Sequence, residues 1–428
     1  MKKYLMLLGM AILFIAMTMS GCSNKRAKNT EDGQMTGNNS HQLSDDMQLI
    51  TSDDIMLEML YAPTKDGCYT SDYNYNYGGI QLFFIDYESK KMVPLSNNLS
   101  GTYGAEGDTS WFEDAACQVG MFTWDEHLYV FENMVKEDQN AYVTLYRMDL
   151  DGKNRKQLCQ WEPQYAVGVG LAIRSNDLYV YISEQTPDGE VLHLSSVNLQ
   201  SGEWKKIRSI NTDGKGGQRI VGAFDKYLVI LQNEMPDMIW EEDMDVDEII
   251  KNEKYCIELL DVDTMQSTQI KTWKLHELTF CMDDSEMYYV DYSHKAIMKM
   301  DCRTGTEEVF MSGLDILQDG YITGDLYLLD HHWMFFKGDQ RYALDMDSKK
   351  VQQITIKSEG DVINNYMKIL GISNDSYLVC SGDIPKKVSY NNENGVGEEE
   401  IYVLEYSLIK KDDFWNSRSV YDKIVKVE

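Results

Sequence analysis

The sequence predicts an all-β fold, a β-propeller for which seven four-stranded blades are the first interpretation and eight blades the second. Two repeated patterns predict it. One is a polar corner followed at once by an aromatic and aliphatic run, and the other is a turn rich in Asp, Ser and Gly further along each unit. Strand-rich units that recur at a spacing of this order are typical of propellers.

The first pattern occurs at seven places along the chain. Its copies are "DGCYTS" (66–71), "DEHLYVF" (125–131), "SNDLYVYI" (175–182), "DKYLVIL" (225–231), "DSEMYYVD" (284–291), "TGDLYLLD" (323–330) and "NDSYLVCS" (374–381). The intervals are 60, 50, 49, 60, 39 and 51 residues when the following positions are aligned: Cys68, Leu128, Leu178, Tyr227, Met287, Leu326 and Tyr377. A short apolar segment such as "MFTW" or "ILGI" precedes most corners, so a strand leads into each one.

The second pattern is a further hairpin turn. Its copies are "IDYESKKMV", "MDLDGKNRKQL", "VNLQSGEWKKI", "LDVDTMQSTQI", "MDCRTGTEEVF" and "LDMDSKKVQQI". The "DLDG" of residues 149–152 also resembles the start of a calcium loop, but Gln160 stands where such a loop needs a Glu. We therefore interpret it as a turn in which Asp and Gly satisfy local backbone geometry. Each unit then contains four antiparallel strands, the content of one propeller blade.

Ring closure follows from the same reasoning, because an unclosed propeller leaves exposed strand edges. We expect the first strand, near residues 55–61, to pair with the last, near residues 420–427. An eighth blade would have to lie within residues 98–120 or 382–427.

The N-terminus predicts export. Lys2 and Lys3 precede an apolar run from Tyr4 to Met19 that is short for a membrane span, and the run ends in "MSGC". This resembles the bacterial lipoprotein signal, with Met19 where that family usually has Leu, and the resemblance implies a diacylated, N-terminal Cys22. An uncleaved anchor or an ordinary secreted protein are the alternatives.

Three regions follow from this reading. Residues 1–21 are the lipoprotein signal peptide, residues 22–50 a flexible tether and residues 51–428 the propeller domain. The segment from Ser23 to about Asp46 is almost free of apolar residues, so it cannot offset the entropy lost on ordering. We therefore expect an extracytoplasmic protein that is lipid-anchored to the cell membrane.

Composition limits the partners. The formal net charge is −30 and no basic stripe is present, so nucleic acid is excluded as a partner. Apart from Cys22 there are seven cysteines and no CxxC pair. Several stand within apolar alternation, where a free cysteine behaves as a small hydrophobic residue, so few or no disulfides are expected.

The repeated layout resembles the TolB-like β-propeller domains of surface lipoproteins in Gram-positive bacteria. "LYRMDLDGKNRKQL" (145–158) and the equivalent turns carry the resemblance, which covers roughly residues 53–427. It implies a fold and no catalytic residue.

Candidate sites are few. No HExxH, GxSxG or P-loop motif is present, so no catalytic residue, metal or cofactor is predicted. His331 and His332 are adjacent and would face opposite sides of a strand, which disfavours a shared metal. In the insertion of residues 235–256, Asp243, Asp245 and Asp247 have the spacing of calcium ligands. Glu248 and Lys254 occupy positions that such a loop reserves for Gly and Glu, so we favour an exposed acidic helix start.

Aromatic residues supply the remaining candidate. In "YTSDYNYNYGG" (69–79) an extended chain places Tyr73, Tyr75 and Tyr77 on one side, where they could stack on a sugar ring or hold a peptide. Tyrosine is also a favoured strand residue, so one face of a blade hairpin is the structural alternative. The tryptophans are interpreted as core or rim residues: Trp111, Trp124, Trp161, Trp240 and Trp333.

The first functional hypothesis is a membrane-anchored, extracellular propeller that acts as a binding or scaffolding module for a protein, glycan or cell-wall ligand. A carbohydrate-active enzyme is one alternative, because aromatic loops and carboxylates are abundant. A sensor ectodomain working with a membrane partner is the other. A two-lobed solute receptor is disfavoured because long helical periodicity is scarce.

Overall fold

The computed structural model describes residues 45–54, 59–74, 78–95, 108–113, 118–136, 140–211, 216–234, 254–274, 277–318, 320–360, 366–392 and 395–427. The strands of these residues form seven sheets. The prediction of an all-β propeller with seven blades is therefore confirmed. Within the described ranges, no helix is long and apolar enough to cross a membrane.

Blades 1, 2 and 3 are formed by the strands of the N-terminal half, β1 to β14. Blade 1 contains β2 (Tyr61–Pro63), β3 (Gly67–Asn74), β4 (Gly79–Asp86) and β5 (Lys91–Pro94), with β6 (Trp111–Glu113) also paired to β4. Blade 2 contains β7 (Gln118–Trp124), β8 (His127–Val135), β9 (Ala141–Asp149) and β10 (Lys156–Trp161). Blade 3 contains β11 (Tyr165–Arg174), β12 (Asp177–Thr186), β13 (Gly189–Asn198) and β14 (Trp204–Asn211), with β1 (Gln48–Asp54) added beside β11.

The remaining four blades follow in chain order. Blade 4 contains β15 (Gly216–Phe224), β16 (Tyr227–Glu234), β17 (Lys254–Asp261) and β18 (Ser267–Lys274). Blade 5 contains β19 (Phe280–Asp283), β20 (Glu286–Asp291), β21 (Ala296–Asp301) and β22 (Thr306–Ser312). Blade 6 contains β23 (Thr323–Gly324), β24 (His332–Lys337), β25 (Gln340–Asp345) and β26 (Lys350–Ile354). Blade 7 contains β27 (Ile369–Ile372), β28 (Ser376–Asn392), β29 (Gly395–Lys410) and β30 (Tyr421–Lys423).

Hydrophobic cores lie between neighbouring blades. Phe131 and Trp161 of blade 2, for example, share one buried cluster with Leu178 and Val180 of blade 3. Side chains of a strand alternate between its two faces, so each blade buries one face against the blade before it and one against the blade after it. No blade covers its own apolar faces, which is why the units form a ring.

The polar corners are hairpin turns between the first and second strands of each blade. In blade 2, Asp125 and Glu126 have positive φ angles of 44° and 59°, and β8 begins directly after them. Two positive φ angles define the type I′ turn, which matches the twist of a two-residue hairpin and favours short polar residues. At the first of these two turn positions, the residues of blades 3, 4 and 5 also have positive φ angles: Ser175, Asp225 and Asp284.

The predicted corner of blade 6 was wrong. The turn there is formed by Asp330 and His331, with φ angles of 46° and 60°, and the strand that follows it is β24. "TGDLYLLD" is therefore the inner part of the blade, and Trp333 is the equivalent of Leu128. With this correction the interval from Met287 is 46 residues and the interval to Tyr377 is 44, so the spacing becomes more even.

The "DLDG" segment is the turn between β9 and β10, as predicted. The Gly152 backbone nitrogen donates to the Asp149 carbonyl oxygen at 2.9 Å, and Gly152 has a positive φ of 82°. Other blades place an Asp or Asn side chain at the same position, where its oxygen accepts backbone N–H groups of the turn: Asp86, Asn198, Asp261, Asp301 and Asp345.

Ring closure differs from the expectation. The C-terminal strand β31 (Val425–Lys426) pairs in parallel with β5 at the outer edge of blade 1, and β2 pairs with β3 inside its own blade. The Val425 nitrogen donates to the Lys90 carbonyl oxygen at 2.9 Å. Blade 7 consists of C-terminal residues alone, so the chain closes the ring by crossing from β30 to the next blade. The described strands of residues 382–427 belong to this blade or to its closing strand, and they form no eighth blade.

Candidate functional site

The protein's own N-terminal segment lies on the inner side of the ring, against the first strands of blades 3 and 4. β1 pairs with the free edge of β11, the first strand of blade 3, and also contacts β15, the first strand of blade 4. Three consecutive residues of β1 are buried: Ile50 is 6%, Thr51 2% and Ser52 2% exposed. The first strands of propeller blades line the central channel. β1 therefore fills space where a ligand could otherwise bind.

After β1, the next described residue is Met59, which lies against the same core. Met59 is 2% exposed and packs in the same cluster as Ile50 and Phe122. A small cavity in this region is lined mainly by apolar side chains, among them Ile50, Met59 and Met121. It offers few polar groups to orient a ligand, so we place no candidate site there.

The two faces of the ring can be distinguished by the turns they carry. We call the "turn face" the face with the first-to-second and third-to-fourth strand turns, exemplified by residues 125–126, 175–176 and 199–203. β1 begins at this face, because Met47 donates to the Asp225 carbonyl oxygen at 2.5 Å and Arg174 donates to that of Asp45 at 2.7 Å. The described chain therefore starts on the turn face. The first strand, β1, begins there at Gln48.

The opposite face carries a long hairpin. β28 and β29 have 17 and 16 residues, whereas β27 reaches β28 only as far as Val379 and β30 pairs with β29 only over residues 407–409. We call the two-stranded extension beyond Asp383 and Leu404 the "arm" and the face that carries it the "arm face". Ile384 is 50% exposed and Tyr402 38% exposed on the arm.

The arm carries basic residues on β28 and acidic residues on β29. In the register of the two strands, Lys387 stands opposite Glu400 and Lys386 opposite Ile401. Glu398 and Glu400 of β29 are exposed, as are Lys386 and Lys387 of β28. The arm thus presents apolar, basic and acidic groups to solvent within one short ribbon.

A polar cluster lies on blade 3. The three strands β12, β13 and β14 bring together Glu184, His193 and Ser209. His193 is directly opposite Ser209 in the register, and on its other side Glu184 is two pairs beyond the partner of His193, Ile182, and so lies on the same face of the sheet. His193 Nδ1 is 2.7 Å from Ser209 Oγ, and His193 Nε2 is 2.8 Å from Glu184 Oε2. His193 is 5% exposed, whereas Ser209 is exposed.

Two further groups hold Glu184 in place. Lys206 Nζ lies 2.6 Å from Glu184 Oε2, and the Tyr165 hydroxyl donates to Glu184 Oε1 at 3.1 Å. The hydrogen bond from Lys206, followed by that from His193, lowers the pKa of Glu184 to about 2. The carboxylate is therefore ionised throughout the physiological range and can orient the imidazole of His193.

Of the residues predicted to bind a ligand or carry the lipid, the structure describes Tyr73. Tyr73 is at the end of β3, partly buried and packed against the cluster that contains Ile80 and Leu82. Tyr75, Tyr77 and Cys22 lie outside the described residues. Tyr73 alone therefore does not establish an aromatic row, and its position agrees with the structural alternative.

His332 and Trp333 are structural. The His332 ring stacks on Trp415 with centroids 3.9 Å apart, and the Trp333 indole, fully buried, donates to the Asp325 carbonyl oxygen at 2.9 Å. Trp111 and Trp161 are buried as well, and Trp124 is partly buried.

The acidic insertion and the cysteines are the remaining candidates. Residues 235–253 of the insertion, with its aspartates and Trp240, lie outside the described residues. In the part of the chain that the structure describes, no group of three or more His, Cys, Asp or Glu could hold a metal ion. The six described cysteines form no disulfide with one another: Cys68, Cys159, Cys256, Cys281, Cys302 and Cys380.

Sequence reasoning did not find the Glu184, His193 and Ser209 cluster. These residues share no local motif, and their meeting depends on the register of two hairpins. The only usable signal is the "PDG" turn at residues 187–189, which sets the pairing of β12 with β13.

The chain matches no protein-family model and no curated protein. Among solved structures it is similar to a puromycin-hydrolyzing peptidase of Mycobacterium tuberculosis, with 8% identity, a TM-score of 0.49, and coverage of 88% of this chain and 55% of that one. It is also similar to the Pyrococcus horikoshii acylaminoacyl peptidase, with 10% identity, a TM-score of 0.46, and coverage of 89% and 52%. This chain thus spans about half the length of those proteins.

The class of the protein follows from its own strand pairing. Seven sheets in chain order, cores shared between neighbouring sheets and a closing C-terminal strand define a seven-bladed β-propeller.

Proposed function

We propose that this protein is a lipoprotein anchored through Cys22 to the outer face of the cell membrane, and that its TolB-like propeller acts as a binding or scaffolding module for a protein, glycan or cell-wall ligand. The single observation that carries the proposal is the course of β1. It enters the ring from the turn face, while the arm projects from the opposite face.

The tether would set the orientation of the ring. Residues 23–44 are 22 residues long, and a flexible chain of that length has a root-mean-square span of about 26 Å. A ten-residue strand such as β11 is about 33 Å long. An anchor joined to the turn face therefore keeps that face nearer the bilayer on average, and the arm face points away from it.

Charge supports the same arrangement. The formal net charge of −30 opposes adsorption of the ring to an anionic membrane surface. The arm carries exposed Ile384 and Tyr402 next to charged residues, which is the mixture of apolar anchor and polar rim found at interaction surfaces. A partner in the wall or outside the cell would meet this face first.

Shortening the arm tests the proposal. Ile384 and Val403 are paired in the register, so residues 385–402 can be replaced by Asn-Gly, which closes a two-residue hairpin. Intact cells carrying either chain are treated with a cross-linker, and the anchored protein is recovered with any attached protein or wall glycan. We expect adducts that form with the wild type and are lost with the short arm.

The matched control removes an exposed apolar residue elsewhere. Val309 on β22 is 59% exposed, so Val309→Ala should leave the adducts unchanged. The binding proposal fails if the wild type forms no reproducible adduct, or if the short-arm variant forms the same adducts in the same amounts.

A further inference from the structure

We propose that Ser209, His193 and Glu184 form a hydrolytic site for short acyl esters on blade 3. This activity is independent of the arm and of the membrane anchor. Ser209 is the nucleophile, His193 the general base and Glu184 the group that orients the base. The proposal rests on the distances, the exposure and the neighbouring side chains of these three residues.

The hydrogen-bond geometry matches that role. A neutral imidazole has one N–H donor and one acceptor nitrogen. With its proton on Nε2, His193 donates to Glu184 at 2.8 Å and leaves the Nδ1 lone pair facing Ser209 Oγ at 2.7 Å. A hydroxyl within this distance of a base that a third group orients is the arrangement expected of an activated nucleophile.

The three side chains differ in solvent exposure, in agreement with their three roles. Ser209 is exposed on β14, the outer strand of its sheet, so a substrate can reach its Oγ. His193 is 5% exposed and is held from both sides, so its ring cannot turn away. The Glu184 side chain is 22% exposed and is paired with Lys206, which keeps the carboxylate available to stabilise an imidazolium.

The surroundings indicate the class of substrate. Tyr165 and Trp204 meet edge to face with ring centroids 5.1 Å apart, and Lys206 Nζ lies 5.0 Å and 5.6 Å from the two ring centroids. This aromatic wall can receive an apolar group or a sugar ring. Because Ser209 is exposed at the blade edge, a short acyl group such as acetyl, carried by an alcohol, is the ester that fits.

Donors for the reacting oxygen come from the strand that carries Ser209. β14 is the edge strand of its sheet, and alternate backbone N–H groups of an edge strand point away from the ladder. These groups can stabilise the negative charge that develops on the ester carbonyl oxygen.

The reaction balances with water as the only co-reactant. Ser209 Oγ attacks the ester carbonyl carbon while its proton passes to His193 Nδ1. Collapse of the tetrahedral intermediate breaks the bond to the alcohol oxygen, which takes the proton from Nδ1. Water then attacks the acyl-serine in the same way, releasing the carboxylic acid and restoring the hydroxyl.

The full chain, purified in detergent, is tested with p-nitrophenyl acetate as the probe ester. We expect Ser209→Ala to lower the rate by about 100-fold or more, the contribution expected of a positioned base and its nucleophile. Ser267→Ala on β18 is the matched control, since it removes an exposed serine from the outer strand of the next blade and should leave the rate unchanged.

Two further readouts distinguish catalysis from a structural role. A fluorophosphonate should label Ser209 of the wild type, located by mass spectrometry, and label His193→Gln much more slowly. Glu184→Gln, which changes a positioning residue, should lower kcat and leave KM unchanged. The proposal is overturned if Ser209→Ala hydrolyses the ester as fast as the wild type, if the wild type has no activity above the uncatalysed rate, or if the label is found only on other residues.

Discussion

The backbone nitrogen of Met121 in β7 donates a hydrogen bond to the carbonyl oxygen of Met59 at 2.7 Å. This bond joins the segment after β1 to the first strand of blade 2, while β1 itself pairs with the first strand of blade 3. The N-terminal segment thus contacts several blades from inside the ring. Substitutions of its buried residues should therefore lower the free energy of unfolding as much as substitutions in the hydrophobic core do.

Replacing Met59 tests this directly. Met59 is 2% exposed, and Met59→Ala should lower the free energy of unfolding by about 2–5 kcal/mol, the usual cost of truncating a buried Met. The neighbouring Leu60 is 37% exposed, so Leu60→Ala should change it by less than about 0.5 kcal/mol. Urea denaturation followed by tryptophan fluorescence compares the two, and equal effects would count against a buried central segment.

Closure of the ring by the C-terminal strand can be tested at one backbone group. Val425→Pro removes the N–H that donates to the Lys90 carbonyl oxygen, and should destabilise the protein by about 1–3 kcal/mol. Val425→Ala keeps that N–H and trims a side chain that is 61% exposed, so it should have little effect. If the two variants have the same melting temperature, β31 does not close the ring in solution.

The hydrogen bonds to the turn aspartates predict how the free energy of unfolding depends on pH. The hydrogen bonds from the Ser348 hydroxyl and then from its backbone N–H lower the pKa of Asp345 below its ordinary value. A carboxyl whose folded-state pKa is depressed contributes stability above its unfolded-state pKa, near 3.9, and this stability is lost as the pH falls through the folded-state pKa.

Asp345→Asn should therefore cost little at pH 7, because Asn198 holds the same position in blade 3 and accepts the corresponding backbone N–H groups. Asp345→Ala should cost about 1 kcal/mol at pH 7. As the pH is lowered to about 3, the wild type should lose stability relative to Asp345→Asn. Denaturation at both pH values checks this, with Asp347→Ala in the same turn as the control. A difference that does not depend on pH would contradict it.

In the proposed function, Cys22 is the residue that carries the membrane anchor. Cys22→Ala should move the protein from the membrane fraction to the soluble fraction and abolish incorporation of a labelled fatty acid. Cys256→Ala, a half-buried thiol on β17, should remain in the membrane fraction with its label. Fatty-acid labelling that persists in Cys22→Ala would show that the anchor lies elsewhere.

Much of the fold could be predicted because its information is local. A two-residue polar turn followed by an aromatic strand appears in the letters of the chain, and so does the Asp of the next hairpin. Blade 6 shows the limit of this reasoning. "TGD" and "DH" both have turn-forming composition, and only the positive φ angles of Asp330 and His331 identify the hairpin.

The position of β1 and the blade 3 site could not be predicted for a different reason. "QLITSDD" has an ordinary strand pattern, and nothing in it identifies β11, more than a hundred residues later, as its partner. Likewise, Glu184, His193 and Ser209 come together only when the registers of two hairpins are known. Contacts of this kind depend on tertiary structure and leave no local signal.

The orientation of the ring on the membrane is the central claim, and energy transfer measures it most directly. The anchored protein is reconstituted in vesicles with acceptor lipids, and a fluorophore is attached through an introduced azide-bearing residue, either at Gln200 in a turn-face loop or at Ile384 on the arm. We predict stronger transfer to the bilayer from position 200 than from position 384. Equal transfer from both positions, or stronger transfer from position 384, would contradict the proposed arrangement.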